Sequence, residues 1–346
     1  EQGYTVVRVW IDCTSRASNY SIAGPSGRNK IELYPAYMAN LFDFLRRATN
    51  HHIYVMISSI FFPINTYYVS IAQKGQLPDV TGWNSYFYSP GTREAAATYW
   101  GQFAQEIASA DGGELTNTVL SFEIWNEICS MTDAKPFSLS SGIIQTADGA
   151  FDMGSAESRQ SCHDIGLSQF IIDSARQIRQ IIPDALCTCS VFTNQAVGHS
   201  SFNGLLPINT ADHRWPARIS DFPSIPDISY IDIHFYPNNT SWNAGSALAT
   251  MEWSSIDKTQ KPFYVTEFGA NKGWWTTATK AANMLKNVRT DLYNNYGIQG
   301  ECLYTFDTEG DSNYWACTES DAVNTALAPR ARWKLYEFNE ASLDNW

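Results

Sequence analysis

Two glutamates interrupt runs that are otherwise apolar enough to be buried. Glu127 closes Ser121-Phe-Glu-Ile-Trp-Asn-Glu127, and Glu267 sits in Pro262-Phe-Tyr-Val-Thr-Glu267-Phe-Gly269. A carboxyl group in such surroundings costs free energy unless it has a partner or a chemical role. Cleaving an acetal supplies roles for two of them, since one protonates the leaving oxygen while the other attacks or stabilises the cationic carbon. Two glutamates can divide that work when their environments push their pKa values apart. Each alone is as readily a strand-end glutamate in an ion pair, since ion-pair networks perturb carboxylates too.

The neighbours favour the pair. Asn126 precedes Glu127, and its amide can hydrogen-bond a sugar hydroxyl beside the reacting carbon. His234 and Tyr236 alternate on the run before Glu267, so the period-2 geometry of a strand puts both on one face. A phenol near a carboxylate can hold it charged and oriented.

The elements that must position these groups are legible as alternating strands and helices. Seven β-branched runs recur: Thr5–Ile11, Ile53–Ile60, Val119–Trp125, Ala185–Phe192, Ile228–Phe235, Phe263–Phe268 and Gln299–Phe306. Each is apolar enough to be buried on both faces, as parallel strands are. Between them run stripes of helical period: Met38, Leu41, Phe42, Leu45 and Ala48; Ala96, Tyr99, Trp100, Phe103 and Ile107. Ile171, Ala175, Ile178 and Ile182 stop at Pro183, and Ala281, Met284, Leu285, Val288 and Leu292 complete the set. Strand and helix alternating in this way predict an α/β fold with a parallel sheet, closed as a TIM (β/α)8 barrel. Seven strands are one short of closure, so the first strand and first helix are expected upstream of residue 1. Glu127 and Glu267 then lie three strands apart across the barrel mouth.

Long connections, roughly residues 61–91, 128–160, 193–227 and 307–329, all follow strand C-terminal ends, the face where barrel enzymes do chemistry. No repeat, low-complexity tract or linker interrupts the chain, which reads as one domain over residues 1–346.

Composition narrows the partners. The chain carries a net charge of −12 and has no evident phosphate-binding field, which argues against nucleic acid and anionic membrane. No apolar run approaches the ~18 residues of a membrane helix. Asn19, Asn238 and Asn239 each head a glycosylation acceptor tripeptide, which has a physical use only in a secreted chain. The secreted setting leads us to expect a disulfide among the seven cysteines, with the odd count leaving at least one thiol unpaired. No histidine or cysteine spacing suggests a metal, no motif calls for a cofactor, and His51-His52 reads as a solvated turn. A monomer acting on an oligo- or polysaccharide is the expected assembly.

Asn126-Glu127, His234-Phe-Tyr236 and Thr266-Glu267-Phe-Gly269, in this order and spacing, resemble the clan A glycoside hydrolases, most closely glycoside hydrolase family 5. The resemblance spans roughly residues 4–306. It implies a (β/α)8 barrel, with Glu127 as acid/base and Glu267 as nucleophile of a retaining double displacement. Arg8 matches the arginine that ends the second strand and contacts the nucleophile. The family includes cellulases, β-mannanases and β-1,3-glucanases, so the implied substrate is a β-linked polysaccharide, mannan or glucan, cleaved from within.

The chain departs from the family pattern in three places. Ile57-Ser-Ser-Ile60 replaces a histidine common after the third strand, which weakens a cellulase assignment. Ile128 stands where a proline commonly follows the acid/base. The tryptophan that usually floors the cleavage subsite is absent from Leu303-Tyr-Thr-Phe306, leaving Phe306 or Trp315 for that place. Trp274 and Trp275, just past Glu267, are the best candidates among the loop tryptophans to line a sugar groove. Trp10, Trp100 and Trp333 read as packing. Two alternatives stay open: a barrel that binds carbohydrate without turnover, and a transglycosylase using the same pair.

Overall fold

The computed structural model describes residues 3–11, 21–25, 27–61, 63–205, 212–306, 313–318 and 321–329. The first strands are β1 (Val6–Ile11), β2 (Tyr54–Ser59) and β3 (Val119–Glu123). Three short ones follow: β4 (Cys129–Met131) and the hairpin of β5 (Ile143–Thr146) and β6 (Gly149–Asp152). Next come β7 (Cys187–Thr188), β8 (Ser190–Phe192) and β9 (Arg214–Pro216). The series ends with β10 (Ile231–His234), β11 (Phe263–Gly269) and β12 (Gly300–Tyr304).

The helices are α1 (Pro35–Asn50), α2 (Thr66–Lys74), α3 (Ser85–Tyr88) and α4 (Pro90–Ser109). They continue as α5 (Ala156–Ile181), α6 (Ala244–Ala249), α7 (Ala278–Asp291) and α8 (Ala322–Leu327). Their starts follow local chemistry. Pro35 and Pro90 occupy the first helical position, where a missing N–H costs nothing. Asn65, Ser155 and Thr277 accept from the backbone N–H three residues on, satisfying an otherwise orphaned donor. The stripe read from Ala96 to Ile107 is wholly buried on α4, which packs against α5.

Every pair among the seven long strand positions is parallel. One sheet runs β1-β2-β3-β7 and the other β8-β10-β11-β12. Only Cys189 separates β7 from β8, so the two sheets meet at one broken strand and form a single arc of seven positions. The run expected as one strand, Ala185–Phe192, is thus split. Glu127 and Glu267 follow β3 and lie on β11, three positions apart on the arc as expected.

The arc ends at β1 and β12, each of which has a ladder partner on one side only among the described residues. All of β12 is half-buried, whereas β10 is fully buried. A cavity of ≈ 550 Å³ lies toward the N-terminal ends of the strands, lined by Tyr4, Tyr54, Leu120, Tyr230, Tyr264 and Gly300 among others.

Two sequence expectations need correction. The connection over residues 61–91 holds α2 and α3, and residues 193–227 supply β9, which pairs antiparallel with β4 out of the preceding connection. No disulfide is found among the described residues: Cys129, Cys162, Cys187, Cys189, Cys302 and Cys317 are free thiols, and Cys13 lies outside them. Five of the six are buried and fill core space as small apolar side chains.

One close approach depends on glycine. The start of α4 abuts the end of α2, and a Cβ at Gly91 would stand 2.8 Å from the Ile71 carbonyl oxygen and 2.7 Å from the Gly75 nitrogen. Backbone atoms cannot rotate away, so Gly91→Ala should lose about 1–3 kcal/mol of stability. A urea titration of the two proteins reads this directly, and equal midpoints would refute the contact.

Candidate functional site

The C-terminal ends of the strands converge on one buried guanidinium. Arg8, in mid-β1, has a side chain only 4% exposed. Its Nε donates to Glu123 Oε2 at 2.6 Å, and Nη2 donates to Glu123 Oε1 at 2.8 Å. Nη1 donates to Glu267 Oε1 at 2.6 Å, while Nη2 also reaches Ser58 Oγ (3.0 Å) and Asn126 Oδ1 (2.6 Å). Burial would disfavour the cation, but Glu123 and then Glu267 hold it charged. Four strand positions are thereby tied to one planar fork, a geometry that arginine offers and lysine does not.

Glu267 is held on both oxygens. Tyr236 donates its phenol to Oε2 at 2.5 Å, opposite the Arg8 contact. Burial first, and the adjoining Glu267 second, push the Tyr236 hydroxyl well above its ordinary pKa, so it stays a donor. Tyr304 and Tyr314 pack against the Tyr236 ring at 5.7 and 5.1 Å between centroids.

Glu127 is held differently. Its backbone lies at φ 53°, a left-handed conformation that a glutamate adopts only when surroundings fix it. Its N–H donates to Ser190 Oγ (2.9 Å), whose hydroxyl in turn donates to Glu123 Oε1 (2.5 Å). Just upstream, Trp125 is buried among Phe87, Trp83 and Phe170 at 4.9–5.5 Å between ring centroids. The carboxylate meets His234 Nδ1 at 3.1 Å through Oε1, and Arg214 Nη1 lies 3.9 Å from Oε2. Burial raises the proton affinity of Glu127, but the His234 hydrogen bond and charge, then Arg214 and Arg8, outweigh it and leave the pKa lowered.

His234 lies between the two glutamates, with Nδ1 also 3.5 Å from Glu267 Oε2 and Nε2 3.3 Å from Thr266 Oγ1. Burial alone would lower its pKa; Glu267 and Glu127 overcome that and raise it to about 9. Below that, Asp232 accepts from the Thr266 hydroxyl at 2.6 Å, and burial raises its pKa to about 6. One ligand atom from each of Glu127, His234 and Glu267 falls within 4.8 Å of the others. That spacing would also admit a cation.

A cavity of ≈ 310 Å³ opens on this cluster, lined by Glu127, Tyr236, Arg214, Trp242, Trp274 and Tyr314 among others. Trp274 is 60% exposed and is among the residues lining this cavity. Trp275 is not: its ring is buried and its Nε1 donates to the Pro237 carbonyl at 2.8 Å. Trp315 braces it, donating to the Trp275 carbonyl at 2.6 Å. Phe306 is 70% exposed and is not among the residues lining this cavity.

Trp10, expected as packing, is 44% exposed because it shares the inward face of β1 with Arg8, whose guanidinium carbon lies 5.0 Å from its ring centroid. Trp215 is buried and stacks on His199 at 3.9 Å. Asn238 and Asn239 are exposed; Asn19 and Trp333 lie outside the described residues.

The site therefore gathers Arg8, Asn126, Glu127, His234, Tyr236, Glu267 and Trp274, and it adds Glu123, Ser190, Arg214, Tyr304 and Tyr314. Glu123 was visible as a third carboxyl in an apolar strand. Arg214 was not, since it arrives from a long connection with no motif of its own.

No family model matches the chain, and no curated protein matches it. Among solved structures, it is similar to an endo-1,4-β-D-mannanase from Thermotoga petrophila at 16% identity and TM-score 0.55, covering 93% of this chain and 86% of that one. An endo-1,4-β-mannanase from Eisenia fetida is similar at 14% identity and TM-score 0.50, covering 95% and 81%. An exo-β-1,4-mannosidase from Opitutaceae bacterium strain TAV5 is similar at 14% identity and TM-score 0.52, covering 88% of this chain; the chain spans 46% of that protein's length. These likenesses place the arc of parallel strands and outer helices in the (β/α)8-barrel fold class.

Two stability experiments follow from the charge cluster. Glu123→Ala removes one member of a buried ion pair and should cost about 3–5 kcal/mol in urea unfolding at pH 7. A loss below about 1 kcal/mol would show that Arg8 does not depend on Glu123. The His234 pKa is raised from the ordinary 6.5 to about 9, so its stabilising contribution is complete below pH 6.5 and lost as pH climbs through 9. Wild-type protein should lose more stability between pH 7 and 10 than His234→Gln does; parallel curves would contradict the assignment.

Proposed function

We propose that the chain is a secreted retaining β-glycoside hydrolase, endo-acting on a β-1,4-linked polysaccharide such as mannan or glucan. The observation that carries this reading is the convergence of Glu127, His234 and Glu267 at the open end of the strands, each placing one polar atom within 4.8 Å of the others, with a cavity beside Glu127. Carboxyl groups about 5–5.5 Å apart fit double displacement; a wider gap would leave room for a water and inversion.

In this mechanism Glu267 attacks the anomeric carbon while Glu127 gives its proton to the departing glycosidic oxygen. Arg8 and Tyr236 supply a donor to each nucleophile oxygen, which aims the carboxylate. Glu127 then takes a proton from water as the water oxygen attacks the same carbon and releases Glu267. Asn126 accepts from Arg8 through Oδ1, which leaves its amide nitrogen as the donor for a sugar hydroxyl. Trp274 and Trp242 supply flat apolar faces on which a pyranose can stack. Secretion is supported by the exposure of Asn238 and Asn239 at their acceptor tripeptides.

The test is hydrolysis of mannan, cellulose, xylan and laminarin, with linkage analysis of the products. Glu267→Gln should lose activity by roughly 10³-fold or more while melting near the wild-type temperature. Wild-type protein inert on all four, or a Glu267→Gln variant of full activity, would overturn the proposal.

A further inference from the structure

Glu127 is faced by charged groups from four elements. His234 reaches it from β10, Arg8 acts from β1, Glu267 stands opposite on β11, and Arg214 comes from β9. Three of these belong to the barrel interior. Arg214 alone arrives from a connection, and its side chain is 41% exposed at the wall of the cavity.

Arg214 is nevertheless firmly placed. On β9 it pairs with Met131 of β4, and the Ala217 N–H donates to the Ile128 carbonyl at 3.1 Å, so β9 is fastened to the segment directly after Glu127. Asp212 accepts from Nε at 3.0 Å and from Nη2 at 2.8 Å. The guanidinium carbon lies 4.7 Å from the Phe192 ring centroid. With Asp212 on one edge and the ring beneath, Nη1 is the corner left to face Glu127 Oε2 at 3.9 Å.

We propose that Arg214 is a positioning residue for the acid/base, holding Glu127 from the leaving-group side through Oε2 while His234 holds Oε1, and so setting the pH range over which Glu127 gives up its proton. This rests on reading Glu127 as the acid/base. The two half-reactions ask opposite things of that carboxyl: it must carry a proton when the leaving group departs and be bare when water attacks. A cation on the leaving-group wall favours the bare form. It acts most strongly once the leaving group has gone and nothing stands between Arg214 and Glu127. Asp212 tempers the effect by neutralising part of the guanidinium charge.

The experiment follows the carboxyl itself. Protein labelled with [5-¹³C]glutamate is titrated by NMR, with the Glu127 signal identified by its loss in Glu127→Gln. Arg214→Gln should raise the Glu127 midpoint by roughly 0.5–1 pH unit, since the cation is half-exposed and shared with Asp212. Arg214→Lys should restore most of that shift by keeping the charge. Where a polysaccharide is cleaved, the alkaline limb of kcat/KM should move upward with the midpoint. Asp212→Asn, which leaves the cation uncompensated, should move it downward and carries the test should Arg214→Gln not fold. An unmoved midpoint in Arg214→Gln, or Arg214→Lys shifting as far as Gln, would overturn the proposal. The outcomes are separable: a failed hydrolase reading gives a protein inert on every polysaccharide whose Glu127 still responds to Arg214, whereas failure here gives an active enzyme with an unresponsive Glu127.

Discussion

A guanidinium buried at 4% side-chain exposure is tolerable only if its charge and its donors are answered, and the arrangement of the whole site follows from how Arg8 is answered. Two glutamates, an asparagine and a serine close around it, and they come from β2, from the end of β3 and just beyond, and from β11. None of these contacts is local in sequence; the separations are 50 to 259 residues. The strands must therefore take their parallel register before the cluster can form. Once formed, the cluster penalises any slip, because a one-residue shift would turn Arg8 out of the barrel.

The same cluster reaches the backbone. Glu123 receives Arg8 on one side and Ser190 on the other, and Ser190 receives the N–H of Glu127. A left-handed glutamate costs of order 1–3 kcal/mol. Here the conformation is over-determined by that N–H contact, by the Asn126 N–H donating to the Ser59 carbonyl at 2.7 Å, and by the buried Trp125 immediately upstream. Glu123 thus reaches both carboxylates at one remove, Glu267 through Arg8 and the Glu127 backbone through Ser190. Its position is structural in the chemistry proposed here, and its charge is what lets Arg8 serve Glu267 without an uncompensated cation.

The repeat of β-branched runs and helical stripes made the architecture readable, because parallel strands buried on both faces carry a strong signal and α4 and α5 carry a clean period. Glu127, Glu267, His234 and Tyr236 were readable for the same reason: each is a polar residue in or beside an apolar run. What stayed hidden was set by side-chain direction and by connections. Trp10 sits in an apolar strand and looks like core, but two-residue periodicity puts it on the Arg8 face at the barrel mouth. Trp274 and Trp275 are adjacent and indistinguishable in sequence; one is exposed, while the other is buried with its indole N–H on Pro237. Arg214 depends on β9 crossing back to β4, an antiparallel pairing across about 80 residues that no short motif announces.

The two carboxylates also differ in the donors that hold them. Glu267 has a donor on each oxygen, Arg8 and Tyr236, both from rigid strand ends and both unable to accept its proton at ordinary pH. Glu127 has one strong donor, His234, and one more distant cation that is half open to solvent. It can therefore take or release a proton at the cost of a single short contact. His234, with its pKa raised to about 9, faces both groups, so in the proposed double displacement esterified Glu267 would leave His234 to Glu127 alone. That shift strengthens the hold on the ionised form of Glu127 at the step where an ionised base is needed, and it does so without any residue having to move.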